Sequence, residues 1–296
     1  MVMNGDTSSA AINLTNGGSR DCGRFFLDVV GQYSQQDLHV QWDAAAYMPD
    51  EAIRQEIDKA WDHHSATAQH RGVKLYNGPL CRLIDFQADN HRLNLVMGPT
   101  CFKDFLGTNL TRATLRYLHG SDVLANPVGV SAAVVTSDNF ILLGRRSQKV
   151  VYHGGRIHSI GGMVEPDANA QAPNPFDAII QEITSELCVS ASDIATIVCM
   201  GMVREKPIVQ PELVFDVALG LDAQTLRQIA AKAIDADEHD ELILVLDYPS
   251  SVITFVQKNL DAITPVCLSA LLLHGLRKWG TGWFASARGY LQSVIS

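Results

Sequence analysis

The chain has 296 residues, of which 47% are hydrophobic, so it can bury one large core or two small ones. Its 23 Lys and Arg residues against 32 Asp and Glu residues give a net charge of -9. This balance disfavours a general nucleic-acid binder, because affinity for a polyanion comes from clustered cations.

The two ends of the chain and its cysteines suggest where the protein works. Residues 1–24 are polar and lack the features of a secretory signal, so we expect a disordered tail. The apolar stretch 266–273 is far shorter than the roughly 20 residues of a membrane-spanning helix. No CxxC pair occurs among the cysteines, which argues against a zinc site and a disulfide framework. We therefore expect a soluble, cytoplasmic protein that binds neither membranes nor nucleic acid.

Residues 25–125 are predicted to form an α+β substructure. Strands are expected at 27–33, 74–87 and 92–98. A helix is expected around 50–63, where Ile53, Ile57 and Trp61 share one face. The pattern of apolar residues changes after Asn126. We therefore place a domain boundary there, and residues 126–296 form the second domain.

The second domain is predicted to begin with a β-hairpin whose turn contains Ser137, Asp138 and Asn139. A glycine-rich passage, a loop and a helix from about 176 to 187 follow. Beyond these, the pattern predicts strands at 197–203, 212–219 and 241–248, and helices at 223–234, 250–260 and 265–279. Asp222 is the expected N-cap of the first of these helices.

Two glutamates on the predicted helix 176–187 indicate a metal site. Residues four apart lie on one helix face, so Glu182 and Glu186 present two carboxylates to one point. Magnesium prefers such hard oxygen ligands together with substrate phosphates.

This passage resembles the Nudix box. Gly162, Glu182, Ile183, Glu186 and Val189 match the family pattern, which is a glycine, a loop with a glutamate, and a helix carrying Arg-Glu and a later Glu. The fold implied is α/β (α+β), a mixed β-sheet sandwiched between helices.

The box also departs from the family pattern. Gln181 replaces an arginine, Ser185 a glutamate and Cys188 a glycine, and the loop is about five residues longer. The glutamate expected within that loop is absent, whereas Glu165 is retained in the turn that precedes it. These departures leave the activity to be tested.

Segments outside the box are similar to one animal branch of this family, the UDP-glucose and UDP-galactose pyrophosphatases. They are FKDFLGTN at 102–109, NPVGVSAAVVTSDNFILLGRRS at 126–147, GGMVEP and QEITSEL. The resemblance implies hydrolysis of a nucleoside-diphosphate sugar to UMP and hexose 1-phosphate with Mg²⁺, or alternatively Mn²⁺.

Further candidate site residues are charged groups at strand ends. Arg145, Arg146 and Arg204 could each bind a phosphate, or form surface ion pairs. Glu212 could be a metal ligand or a general base, or an exposed strand end. The acidic run 235–241, which contains His239, could supply an acid or base, although such runs are more often solvated.

The segment 104–109 has two interpretations. Asp104, Gly107, Thr108 and Asn109 could contact the sugar or the uracil, or form a structural turn that joins the two substructures.

Two other functions stay open at this point. The chain could hydrolyse another diphosphate, such as ADP-ribose, a dinucleotide or coenzyme A. It could also be a non-catalytic nucleotide-binding module, since the box has lost an arginine and a glutamate. The sequence leaves the oligomeric state open.

Overall fold

The computed structural model describes residues 19–70, 75–148, 150, 152–167, 172–230 and 239–295. Two mixed β-sheets and a set of helices form an α/β structure, as the sequence predicts.

The strands and helices follow one another along the whole described chain. The strands are β1 (Arg20–Asp21), β2 (Phe25–Tyr33), β3 (Leu38–Trp42), β4 (Pro79–Ala88), β5 (Leu93–Cys101), β6 (Gly129–Val135), β7 (Phe140–Arg146), β8 (Ile157–His158), β9 (Ile160–Met163), β10 (Ile194–Glu205), β11 (Pro211–Leu219) and β12 (His239–Leu246). The helices are α1 (Glu51–His70), α2 (Phe102–Phe105), α3 (Arg116–His119), α4 (Pro175–Leu187), α5 (Ala223–Ala230), α6 (Pro249–Asn259) and α7 (Pro265–Ile295). Single helical turns lie at Leu106–Leu110, Ala113–Leu115, Ser121–Val123 and Ala191–Asp193.

The larger sheet has nine strands in the order β1-β2-β10-β11-β6-β7-β12, with β8 paired to β7 and β9 paired to β6. The β11–β6 pair is parallel, and the other pairs of this sheet are antiparallel. The smaller sheet has the order β3-β5-β4.

Side chains from β11 show how the larger sheet is covered on both faces. Leu213 and Phe215 pack in a core cluster that contains Ile183 of α4, whereas Val214 packs in a second cluster that contains Leu271 of α7. Successive strand residues point to opposite faces, so apolar residues at consecutive positions fill both layers. The sheet is therefore sandwiched between α4 with the smaller sheet on one side and α6 with α7 on the other.

Local signals fix the ends of the predicted elements. Asn174 caps α4 by accepting a hydrogen bond from the backbone N–H of Phe176 at 3.0 Å, and Pro175 opens the helix. Asp222 caps α5 as predicted, since its carboxylate accepts the N–H of Thr225 at 2.7 Å. Helix α7 runs past the predicted end, but its backbone breaks at Gly280, where φ is 85°.

The predicted division of the chain needs two corrections. Strand β2 pairs with β10, so part of the expected N-terminal substructure belongs to the larger sheet. Residues 19–24 are not part of a tail, because Arg20–Asp21 pair with β2 and Asp21 forms an ion pair with Lys206 at 2.7 Å. Residues 1–18 lie outside the described part.

Two other sequence predictions are only partly covered. Residues 231–238, the end of the predicted helix 223–234 and the start of the acidic run, are not among those described. The rest of the run opens β12. No helix within the described ranges is long and apolar enough to cross a membrane.

Candidate active site

A cavity of about 560 Å³ opens where the ends of β6, β9 and β11 meet α4 and the segment 75–110. Its polar wall is formed by Arg146, Glu165, Glu182, Glu205, Gln210 and Glu212. The lining also includes apolar and aromatic side chains. A cavity of this size with convergent polar groups is typical of a small-molecule site.

Glu182 reaches the cavity from α4 because β9 has a glycine beneath it. A Cβ atom at Gly162 would lie 2.1 Å from the Glu182 Oε1 atom. The glycine therefore lets the carboxylate rest directly against the strand.

Glu186 lies one helical turn further along α4 and is only 7% exposed. Its Oε1 atom accepts the backbone N–H of Gly161 at 3.2 Å. The sequence predicts that Glu182 and Glu186 present their carboxylates to one point, but Glu186 is buried where α4 approaches β9 and is not among the residues that line the cavity. Its hydrogen bond holds the carboxylate against the glycine strand.

Glu212 enters from the opposite face of the sheet, because it alternates with Leu213 and shares its face with Val214. It pairs in register with Gly129 of β6, and a Cβ atom there would lie 1.8 Å from the Glu212 Oε2 atom. The side chain is buried, so the exposed strand end considered from the sequence is excluded.

Burial sets the charge of Glu212. The pKa of this carboxyl is raised to about 8: loss of solvent is the largest cause and Glu205 adds to it, whereas the Ser131 hydroxyl and the charge of Arg146 oppose it. At neutral pH the group therefore holds a proton, and a nearby cation would favour its ionised form.

A second buried carboxylate, Glu205, ends β10 and was not predicted. It accepts a hydrogen bond from the Tyr152 hydroxyl, and the His153 Nε2 atom lies 3.0 and 2.9 Å from its two oxygens. His153 has a φ of 59°, a left-handed backbone conformation that residues other than glycine rarely adopt. The only signal in the sequence is a Tyr-His pair just before Gly154 and Gly155.

Two adjacent arginines at the end of β7 have different environments. Arg146 lines the cavity, and its buried Nε atom makes no hydrogen bond within the described part of the chain. Arg145 instead bonds Glu241 of β12 at 3.0 Å. Arg146 is therefore the phosphate-binding candidate of the two, and Arg145 forms the surface ion pair.

Arg204 lies away from this cavity. Its Nε atom bonds the buried Asp28 carboxylate at 2.5 Å, and the side chain lines a separate cavity of about 150 Å³. The neighbouring position in β10, Glu205, points to the main cavity instead, because strand residues alternate.

Asp104 and Asn109 hold the substructures together, which is the structural alternative considered above. Asp104 is paired with Arg54 of α1 at 2.5 Å. Asn109 is fully buried; it donates to the Ile208 carbonyl at 2.9 Å and accepts the N–H of Asn126 at 2.9 Å. Neither residue lines the main cavity.

Comparison with known proteins finds several sequence relatives. No family model matches the chain. It is 27% identical over 194 residues to the uridine diphosphate glucose pyrophosphatase NUDT22 of Bos taurus, across 52% of this chain and 67% of that protein. The mouse protein of the same name is 31% identical over 156 residues, across 44% of this chain and 51% of the relative. Nudix hydrolase 9 of Arabidopsis thaliana is 25% identical over 223 residues, across 65% and 72%.

The chain is similar in sequence to Nudix hydrolases. Its aligned segments span between half and two thirds of the length of the animal relatives. The solved MutT protein of Methanosarcina mazei Go1 matches 51% of this chain and 94% of its own, with a TM-score of 0.34 and 16% identity. A Nudix-family hydrolase from Clostridium perfringens matches 52% and 99%, with a TM-score of 0.30 and 12% identity. Scores this low do not bear on the fold, so the similarity rests on the sequence relatives.

One departure from the Nudix box has a local explanation. The family has a glycine where this chain has Cys188, and Cys188 ends α4 in the left-handed conformation, with φ at 55°. Glycine adopts that conformation without strain. The cysteine keeps the turn at a cost of about 1 kcal/mol.

The donor set of this site fits a magnesium ion. Glu182 and Glu212 bring carboxylate oxygens to one cavity, and the missing Cβ atoms of Gly162 and Gly129 leave room for them. Within the described ranges, no three ligand-type side chains form a ready-made metal cluster. Magnesium commonly uses one or two carboxylates and completes its shell with waters and phosphate oxygens, so two carboxylates suffice.

Proposed function

We propose that this chain hydrolyses the diphosphate of a nucleoside-diphosphate sugar, with UDP-glucose or UDP-galactose giving UMP and hexose 1-phosphate, and that it requires Mg²⁺ or Mn²⁺. The main support is the convergence of Glu182 from α4 and Glu212 from β11 on one cavity, at opposite faces of the sheet end. The names of the animal relatives support the choice of substrate.

Arg146 and Glu212 have separate roles in the proposed reaction. When bound, the divalent cation offsets the charge on phosphate oxygens and lowers the pKa of water. Arg146 donates hydrogen bonds to a phosphate. Its Nε–H has no acceptor among the described residues, and the positive charge of the guanidinium strengthens the contact. Glu212, whose buried carboxyl a bound cation would ionise, accepts the proton that water loses.

Glu186 and Glu205 would act through their neighbours. Glu186 keeps the Gly161 backbone in place beneath the site, through the 3.2 Å hydrogen bond. Glu205 fixes the turn that carries Tyr152 and His153 along the cavity. Both are positioning residues in this proposal.

The experiment is an assay of the purified chain with millimolar Mg²⁺ against UDP-glucose, UDP-galactose, ADP-ribose, NADH and coenzyme A, with products separated by chromatography. UMP should form from the UDP-sugars and disappear when EDTA is added. Release of a product only from another substrate would retain the hydrolase class and reject the substrate. No release from any of them would favour a binding module.

Variants test the assignment of the site. Glu182→Gln should reduce kcat by roughly 100-fold or more, because one carboxylate ligand is lost. Glu186→Leu should do so through misplacement of β9, because leucine offers no acceptor to the Gly161 N–H. Glu241→Gln, which changes a half-exposed carboxylate paired with Arg145, is the matched control and should retain full activity. Full activity in Glu182→Gln would contradict the site.

A further inference from the structure

Part of the cavity lining has a chemistry that the hydrolysis itself does not require. Six side chains form this aromatic wall: Leu75, Tyr76, Leu80, Phe102, Phe105 and Leu110. All precede β6 in the chain and none is charged. They share one cavity with Glu182 and Glu212, so one ligand can touch both walls.

Phe102 is held in place by neighbouring rings. Its ring centroid lies 6.4 Å from that of Trp61 and 6.2 Å from that of Phe105, both in edge-on contacts. An ion pair between Lys103 and Asp58, at 2.6 Å, fixes α2 against α1 beside it. The ring is therefore positioned before any ligand arrives, which lowers the entropic cost of binding.

Tyr76 is 77% exposed although it lines the same cavity. A single exposed aromatic residue is ordinary on a protein surface. Here, however, the exposed ring lines the same cavity as Phe102 and Phe105, so a planar ligand bound there has aromatic faces to stack on.

The side chains of the segment 102–110 differ in whether they line the cavity or bond within the protein. Asp104 and Asn109, for which contact with sugar or uracil was one of two interpretations of the sequence, bond Arg54 and Ile208 instead. Their neighbours Phe102 and Phe105 face the cavity instead.

We infer that the aromatic wall binds the nucleobase of the substrate, which stacks on Phe102 and Tyr76 while the diphosphate lies against the carboxylate wall. The inference rests on the proposed function. A hexose is the poorer occupant, because its ring carries hydroxyl groups that need polar partners. The six side chains of the wall offer one hydroxyl, that of Tyr76, whereas every base has a flat face that stacks.

Calorimetric titration of the full chain with UMP and with ribose 5-phosphate, in EDTA, tests this without turnover. The unsubstituted chain should bind UMP at least roughly 10-fold more tightly than ribose 5-phosphate. Tyr76→Leu and Phe102→Leu should each weaken UMP binding by about 10-fold and leave ribose 5-phosphate unchanged. Tyr117→Leu is the matched control, since Tyr117 is 73% exposed and lies outside the cavity.

Two results would overturn the inference. One is equal affinity of the unsubstituted chain for UMP and ribose 5-phosphate. The other is unchanged UMP affinity in Tyr76→Leu. Because Tyr76 is exposed, its substitution should not impair folding, so a loss of affinity in this variant would report on the base site. In active protein, a raised KM for UDP-glucose with kcat retained should accompany the loss of UMP binding. Hydrolysis with an unchanged KM in both variants would reject the base site and leave the proposed function standing.

Discussion

At the scale of single residues, the carboxylates of the cavity differ because their surroundings differ. Glu182 rests on a glycine strand at the cavity surface, Glu186 is tied to a backbone N–H, and Glu212 is enclosed by β6. Removal from water favours the neutral form of a carboxyl group, and only a partner or a cation reverses that preference. Glu212 is therefore the carboxyl whose environment is least favourable for folding and best suited to proton transfer.

Glu212→Gln should stabilise the protein and inactivate it. Burial raises the pKa of Glu212 to about 8, well above that of a glutamate in the unfolded chain. The folded state thus holds a proton that the unfolded state releases, and this cost grows from about pH 4.5 to pH 8. Glutamine removes the cost, so thermal unfolding at pH 8 should show a gain of roughly 2 kcal/mol, with activity lowered at least 100-fold.

The pH dependence supplies the check on Glu212→Gln. The gain in the free energy of unfolding should vanish near pH 4, where both states are protonated. A variant that is less stable than the parent at pH 8 would contradict the burial cost. One with parental activity would remove Glu212 from the site.

At the scale of elements, glycines decide how closely strands and helices meet at the cavity. Because Gly129 and Gly162 have no Cβ atom, the carboxylates of Glu212 and Glu182, respectively, can occupy that space. A Cβ atom at Gly161 would lie 2.2 Å from the Val130 carbonyl oxygen, so that glycine is required by the strand pairing itself. The glycine-rich passage is thus a packing requirement of the site.

Gly162→Ala should lower activity with little loss of stability. The added methyl group would meet the flexible end of Glu182, which can move away, and Gly162 has no left-handed backbone to strain. Displacement of a catalytic carboxylate by about 1 Å can cost on the order of 100-fold in rate. Steady-state kinetics and thermal unfolding of the variant measure the two effects separately.

Gly289→Ala is the matched control for this substitution. Gly289 lies in α7, and no atom lies within 4 Å of the position that the added methyl group would take. Activity should therefore be unchanged and stability slightly higher, because alanine favours a helix more than glycine does. Equal activity in the two variants would show that Glu182 tolerates displacement.

At the scale of the whole molecule, a buried charge network joins α7 to the larger sheet. His274 is 2% exposed and lies between Asp216 of β11, at 3.1 Å, and Asp247 after β12, at 2.9 Å. Arg277 and Lys278 pair with the same two carboxylates. Because Asp216 shares β11 with Glu212, the network holds the strand that carries the candidate base.

His274→Gln should change how stability depends on pH. Burial alone would lower the pKa of His274, but Asp216 and Asp247 outweigh it and raise the pKa to about 9. The histidine in the unfolded chain titrates near 6.5. Its contribution, about 3 kcal/mol at most, is therefore complete below pH 6.5 and is lost as the pH rises through 9.

Denaturant unfolding of the parent and the variant between pH 6 and 9.5 measures this contribution. The parent should lose stability over that range, and His274→Gln should lose much less. His119→Gln, at an exposed histidine, is the control and should follow the parent. Parallel pH curves for the parent and His274→Gln would show that the histidine is not protonated in the fold.

Local patterns in the sequence were sufficient for most elements and for one part of the site. The N-cap Asp222, the hairpin turn at Asn139 and the spacing of Glu182 and Glu186 act over a few residues, so periodicity and turn chemistry reveal them. Position on the chain did not reveal which of two adjacent arginines, Arg145 or Arg146, faces the cavity.

The rest of the site depends on contacts between distant segments. Only the pairing of β11 with β6 and of β6 with β9 brings Glu212 to the cavity that Glu182 enters from α4. Burial of Glu186, the bonds of Glu205 and the inward turn of Asn109 arise in the same way. The sequence alone was enough to indicate the family and the helix that carries the glutamates. The close packing of distant strands, which no local pattern encodes, determined which charged groups share one cavity.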